Sequence, residues 1–192
     1  MEKCFIINVY DFDKTIYDGD STIDFYLFCI CKNPILVFLL PITILYFIIY
    51  KLKIIDKLKF KEKFFSFLKY IKNIDNLVQL FWERNKKKIK PWFINDNSSN
   101  KIIISASPEF LLRYIINEIN VIDIIGTKVN KHTGKFESKN CYGKEKVKRL
   151  NEKYSECLIE KFFSDSKSDK YLAQISKTSF LVKKDVVKRW YV

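Results

Sequence analysis

Asp11-Phe12-Asp13-Lys14-Thr15 sets two carboxylates two residues apart, directly after an apolar run. A carboxylate at such a point can act as a nucleophile. A second one on the same face can protonate a leaving oxygen and later activate water. Phosphoryl transfer asks for that division of labour, together with cations that spread the charge of the moving group. Read alone, the string is equally an Asx turn or an N-cap that opens a helix.

Residues further along supply the missing parts. Ser105 closes a second apolar run and can hydrogen-bond a phosphate oxygen, with Ala106 and the backbone N–H groups of a following helix beside it. Gly143-Lys144-Glu145-Lys146-Val147 offers a fixed cation at a helix start, either Lys144 or Lys146, and the spacing to Gly143 and Val147 favours Lys146. Asp165 and Asp169 lie in Ser164-Asp165-Ser166-Lys167-Ser168-Asp169 and provide hard oxygen ligands that suit Mg²⁺.

These residues must be held by a scaffold, and the sequence describes one. Residues 4–10 (CFIINVY), 101–105 (KIIIS), 158–163 (LIEKFF) and 179–182 (SFLV) are short runs rich in β-formers, as in strands buried on both faces of a parallel sheet. Helical stretches at 108–117 and 144–154 alternate with them, which argues for crossover connections. Residues 126–142, with His132-Thr133-Gly134 at their centre, read as a small hairpin with His132 in an exposed turn. Ligands bind beyond the carboxyl ends of such strands, and three of those ends carry Asp11, Ser105 and Asp165.

Taken in order, the four groups of residues resemble the motifs of the haloacid-dehalogenase-like hydrolases, and the likeness spans essentially the whole chain. It is nearest to the phosphoserine-phosphatase-like branch, which carries a helical cap between its first and second motifs. Residues 140–147 (NCYGKEKV) with 163–166 (FSDS) look like the membrane-linked members of that branch, including bacterial phosphatidylglycerophosphatases of the C type. The resemblance implies an α/β Rossmann-like three-layer sandwich with a parallel central sheet, built from residues 1–18 and 98–192, and an all-helical cap at 19–97. It implies a Mg²⁺-dependent phosphatase with Asp11 as nucleophile and Asp13 as acid/base whose backbone carbonyl also meets the metal. Thr15, Ser105 and Ala106 would bind the phosphomonoester and Lys146 would balance charge. Asp165 would complete the metal ligands with Asp11 and Asp13, and Asp169 would orient metal-bound water or Asp165. Lys14 stands where many members have Gly, which reduces the freedom of the loop, although the branch tolerates Lys there.

The cap holds an uncharged stretch, residues 33–50 (NPILVFLLPITILYFIIY), followed by Lys51, Lys53, Lys57, Lys59, Lys61 and Lys63. As a straight helix it would reach about 27 Å, near the thickness of a bilayer core. A single crossing would strand Asp11 on the opposite side from Ser105 and Asp165, so the chain must return. Pro41 offers a break for a re-entrant or interfacial segment, to which residues 24–31 could add apolar surface. A buried cap helix is the competing reading. Lys86–Lys90 adds a second cationic cluster that would suit anionic headgroups or a plain solvated turn.

Bulk composition sets the outer limits. Of 192 residues 48% are hydrophobic, with 17 Phe and 11 Tyr, which excludes global disorder. The formal charge of +13 comes almost wholly from Lys, and no recognised nucleic-acid motif accompanies it, so no nucleic-acid partner is expected. Five cysteines without a CxxC pair and one His cannot make a familiar zinc site. They suit a reducing cytosol, and with no secretory signal the expected location is cytoplasmic, at the cytoplasmic face of the cell membrane.

Overall fold

The apolar runs become strands because each can be buried on both faces. In the computed structural model, which describes residues 5–192, β1 (Phe5–Tyr10) sends Ile7 and Val9 to one face and Tyr10 to the other. Cys4, expected to start this strand, lies outside the described residues. β2 (Lys101–Pro108) alternates in the same way, with Ile102 and Ile104 opposite Ile103. β3 (Asp123–Thr127), β4 (Cys157–Ser164), β5 (Ser176–Lys183) and β6 (Val186–Arg189) complete one six-stranded sheet in the order β3-β2-β1-β4-β5-β6. All pairings are parallel except β5 with β6.

Two of these strands differ from expectation. β3 falls partly inside the region read as a hairpin, leaving only a Val129–Phe136 bridge beyond it. β6 is an exposed edge strand of four residues with no apolar run of its own. The helix expected at 108–117 is shorter, because β2 continues to Pro108. One helical turn, Glu109–Leu112, and a 3₁₀ turn, Arg113–Ile115, follow.

Between β1 and β2 the chain is helical. α1 (Ser21–Lys32) is capped by Asp20, whose side chain accepts from Ile23 N–H. It turns Phe25, Tyr26, Phe28 and Cys29 into the core, so it is an inner helix more than a lipid-facing one. Residues Pro34–Leu39 are 3₁₀, and α2 (Leu40–Lys51) follows with Pro41 in its first turn, where a missing N–H is harmless. Pro41 therefore starts α2 and does not break it. Pro34–Lys51 is long and apolar enough to cross a membrane by length and composition, and only 6% of it is buried within the protein. That excludes the buried-helix reading for α2. β1 and β2 are hydrogen-bonded neighbours, so the segment between them begins and ends on the same side.

α3 (Lys57–Phe65) returns along α2, with Phe60 against Phe47 and Tyr50. α4 (Ile74–Asn85) and the short α5 (Pro91–Ile94) close the helical region, and Trp82 Nε1 donates to Leu111 O in the helical turn after β2. The turn after β3 also grips this region. Gly134 has φ +72°, and a Cβ there would stand 2.2 Å from Phe65 O. α6 (Glu109–Leu112) joins the cap-side face of the sheet. On the opposite face lie α7 (Lys144–Lys153) and α8 (Lys170–Gln174), which contribute Leu150, Leu172 and Ala173. The result is a mostly parallel α/β sandwich of three layers, with a helical region standing over one end.

Candidate active site

Asp11 is the first residue past β1, where its N–H still donates to Phe163 O of β4 at 2.8 Å. That bond fixes the carboxylate at the carboxyl end of the central strand. Lys146, on α7, reaches in from the side. Its Nζ lies 2.7 Å from Asp11 Oδ1 and 2.7 Å from Asp169 Oδ2, with 2% of the side chain exposed. Burial works against this ammonium, but Asp11 and Asp169 outweigh it and hold the group well above its ordinary range. Burial likewise pushes the Asp11 carboxyl up, against the pull of Lys146. Lys144 is exposed and stands over the Tyr171 ring, so the structure brings Lys146, and not Lys144, to Asp11.

Asp13 sits on the other side of the loop and faces the helical region. Its Oδ1 accepts from Ser21 N–H at 2.7 Å, and its Oδ2 accepts from Ser107 Oγ at 2.5 Å. Thr22 Oγ1 is 2.9 Å from Ser107 Oγ and extends the chain of hydroxyls. Burial, then the nearby Asp20, pushes Asp13 up to about 6, against the two serine bonds. A carboxyl in that state can hold or release a proton near neutrality.

The loop between these carboxylates is constrained. Lys14 has φ +59°, in the left-handed region where Gly is at ease, and its carbonyl accepts from the buried Lys90 Nζ at 2.9 Å. Ser105 is 1% exposed and its Oγ accepts from Ser107 N–H at 3.1 Å. Ala106 is half-buried beside it, and its carbonyl accepts from Thr127 Oγ1 at 2.9 Å. Because β2 runs on to Pro108, the following helix begins beyond Ser105 and does not aim its first N–H groups there. Thr15, expected to bind substrate, is fully buried. Its hydroxyl accepts from Asp165 N–H at 2.9 Å and so positions the late acidic loop.

Asp165 is half-buried and within hydrogen-bonding reach of Asp11, and burial raises its carboxyl. Asp169 Oδ2 accepts from Ser164 Oγ at 2.9 Å as well as from Lys146, while its Oδ1 is buried with no hydrogen-bond partner. Asp169 thus bears on Lys146 more directly than on Asp165. Among the described residues no three acidic, Cys or His side chains gather as a metal cluster. Two adjoining carboxylates, Asp11 and Asp165, nevertheless fit Mg²⁺, which keeps several waters and takes few protein ligands.

Sequence reasoning missed Ser21 and Ser107, and placed Ser164 only within the late acidic motif and Lys61 only within the basic flank of the apolar stretch. Only Ser107 left a signal, two residues after Ser105 on a strand, where alternate residues share a face.

With this geometry in place, the comparisons decide the family. The sequence profile of the haloacid dehalogenase-like hydrolases matches residues 9–174. The chain belongs to that family. A search of curated proteins gives no match. Among solved structures, a protein of unknown function from Bordetella pertussis Tohama I aligns with a TM-score of 0.78 at 15% identity, covering 92% of this chain and 89% of that one. A haloacid dehalogenase family hydrolase from Salmonella enterica serovar Typhi gives 0.63 at 10% identity, over 89% and 60%. A phosphoserine phosphohydrolase-like protein from Francisella tularensis gives 0.55 at 13% identity, over 91% and 85%. At these identities the structural likeness speaks to the fold. The family profile makes the protein a haloacid dehalogenase-like hydrolase.

Proposed function

We propose that the protein is a Mg²⁺-dependent phosphatase that hydrolyses phosphate monoesters through a phosphorylated Asp11. The observation that carries this reading is Lys146 Nζ held 2.7 Å from both Asp11 and Asp169 at the carboxyl end of the central strand. An ammonium there favours the ionised nucleophile against the effect of burial and offers charge to an incoming phosphoryl group. One Asp11 oxygen is tied to Lys146, and the other is left for attack on phosphorus. As the O–P bond forms, the ester O–P bond breaks, and Asp13 gives its proton to the leaving oxygen. Asp13 then takes a proton from water as that water attacks the aspartyl-phosphate. The acyl phosphate bond breaks, phosphate leaves, and the Asp11 carboxylate is restored. Mg²⁺ held by Asp11, Asp165 and the Asp13 carbonyl would supply positive charge to the phosphoryl oxygens. Ser105 and the backbone at Ala106 would hold those oxygens in line.

The substrate class we propose is a membrane lipid phosphate, such as phosphatidylglycerophosphate, met at the cytoplasmic face of a membrane. The support is a cavity of about 430 Å³ that opens from Asp13 between α1, α2 and α3, with Ile44, Phe47, Phe60 and Phe64 in its walls. Outside it, Ile42, Leu45 and Ile48 of α2 are exposed next to the lysines of residues 51–63. That pairing of apolar face and cations suits a lipid surface. A soluble substrate such as phosphoserine is the second reading, favoured by the fold shared with a phosphoserine phosphatase at a TM-score of 0.53. Asp11→Asn should abolish Mg²⁺-dependent release of phosphate from an aryl phosphate while leaving the circular dichroism spectrum intact. Near-normal activity in that variant would sink the mechanism.

A further inference from the structure

One cation lines the cavity beside Asp13, and no step of the reaction above uses it. Lys61, on α3, points its Nζ at Asn140 Oδ1 at 2.8 Å and at Ala106 O at 3.4 Å. Both partners are neutral oxygens, in contrast to the two carboxylates around Lys146. An ammonium has three protons, so these contacts leave one free. Burial, with Lys57 adding to it, lowers Lys61 to about 8, although Asp20 and Asp13 in the same cavity and Cys141 pull the other way, so its charge is only partly supported by the protein alone. An arriving anion would make good that deficit.

Position tells which anion. The cavity takes in Asp13, Asp20, Lys61, Ala106 and Ser107 at its polar end, but not Asp11, Ser105 or Lys146. It is therefore the room on the leaving-group side of the scissile bond. Past Lys61 the walls become aromatic and aliphatic, ending at Phe47 and Ile44 on the exposed helix. Polar and apolar groups thus follow one another in a fixed order away from Asp13.

Resting on the phosphatase reading, we propose that Lys61 binds a second anionic group of the substrate, carried on the leaving group between the scissile ester and an apolar tail. The substrate class is then an amphiphilic phosphomonoester with a phosphodiester or carboxylate close to the ester oxygen. Lys61 is the residue that separates such a substrate from one bearing a monoester alone.

The test compares two lipids of identical acyl chains in the same mixed micelles. Phosphatidylglycerophosphate has a phosphodiester beside its monoester, and phosphatidic acid has only the monoester. In Lys61→Gln the ratio of kcat/KM for the first over the second should fall at least about tenfold, mainly through KM, while Lys61→Arg keeps the ratio. For the wild type the ratio should also fall as pH rises through about 8. If Lys61 merely latches α3 to the core, both lipids lose equally in Lys61→Gln, and the unchanged ratio overturns the proposal. A wild-type preference for phosphoserine over both lipids would keep the anion and overturn the tail. Should the wild type release phosphate from nothing, the phosphatase reading fails separately. Calorimetric binding of the two lipids to wild type and Lys61→Gln then decides the role of Lys61, and equal affinities refute it.

Discussion

Lys146→Met removes one charge and leaves two carboxylates facing the gap. In the wild type the Nζ is 2.7 Å from Asp11 and from Asp169 and almost wholly buried. At an effective dielectric of about 20, each contact is worth about 6 kcal/mol before desolvation is subtracted. Removing one partner of a buried ion pair costs about 3–5 kcal/mol: desolvation offsets part of the attraction, but the partner left behind is an uncompensated buried charge. Met fills most of the vacated volume, so the loss is electrostatic and not a cavity effect.

The pH dependence separates that cause from mere misfit. Burial raises Asp11 to about 7 even against the pull of the ammonium. Without Lys146 the folded-state pKa climbs further, so the folded variant keeps a proton at pH values where the wild type has released it. A group whose folded pKa lies above its unfolded value loses stability as pH rises, at up to about 1.4 kcal/mol per pH unit for one proton. The gap between wild type and variant should therefore widen as pH rises from about 7 to pH 9. Urea unfolding in EDTA, followed by circular dichroism at four pH values, measures it. Adding Asp169→Asn to Lys146→Met should recover much of the loss, a coupling that distant residues would not show. A loss under about 1 kcal/mol, or one that stays flat with pH, would refute the claim that this lysine neutralises Asp11, the proposed nucleophile.

Two further outcomes follow from local geometry. Lys14→Gly should raise stability by about 0.5 kcal/mol. Relief of the left-handed φ of +59°, about 1–2 kcal/mol, exceeds the added freedom of Gly in the unfolded chain. The urea midpoint at constant m-value reads this. Phe47→Asp with Ile48→Asp on the exposed face of α2 should cut sedimentation with phosphatidylglycerol vesicles at least about tenfold. Wild-type protein that stays wholly in the supernatant at low salt would remove the membrane surface from the account.

How much of this was legible depends on whether a residue's type carries its environment with it. β1, β2, β4 and β5 announce themselves because burial on both faces demands continuous apolar residues. β3 does not, since Asp123-Ile124-Ile125-Gly126-Thr127 offers only two large apolar residues, and Gly126 reads as a turn. In fact Gly126 is in the strand because Glu109 packs against it, so closely that a Cβ would meet the Glu109 backbone at 2.7 Å. β6 gains its place only by pairing along β5, which no local pattern encodes. Asp11, Asp13, Ser105 and Asp165 stood out because they follow strand ends. Choosing Lys146 over Lys144 was also within reach, since Lys146 shares a helix face with Arg149 and Leu150, the buried side of α7. The serines around Asp13 were not, because a serine that aims a carboxylate looks like any other.

The lysines show the same limit most sharply, and with a consequence for the chemistry. A charge of +13 spread over every surface hides the few lysines that face inward. Lys90 is 3% exposed and gives its protons to the carbonyls of Lys14 and Lys184. Lys101 is 2% exposed, donates to Asp96 O at 2.9 Å and lies over the Phe93 ring. Lys61 holds Ala106 O. Each ammonium is anchored on a main-chain oxygen, and Lys90 holds two residues at positive φ, Lys14 and Lys184. A carbonyl fixed in this way cannot rotate, so the loop between Asp11 and Asp13 is set before any substrate arrives. Preorganisation of that kind is what makes a fixed charge such as Lys146 effective. The basic composition is thus partly an internal device, and of these three lysines Lys61 is the one that lines the cavity beside Asp13.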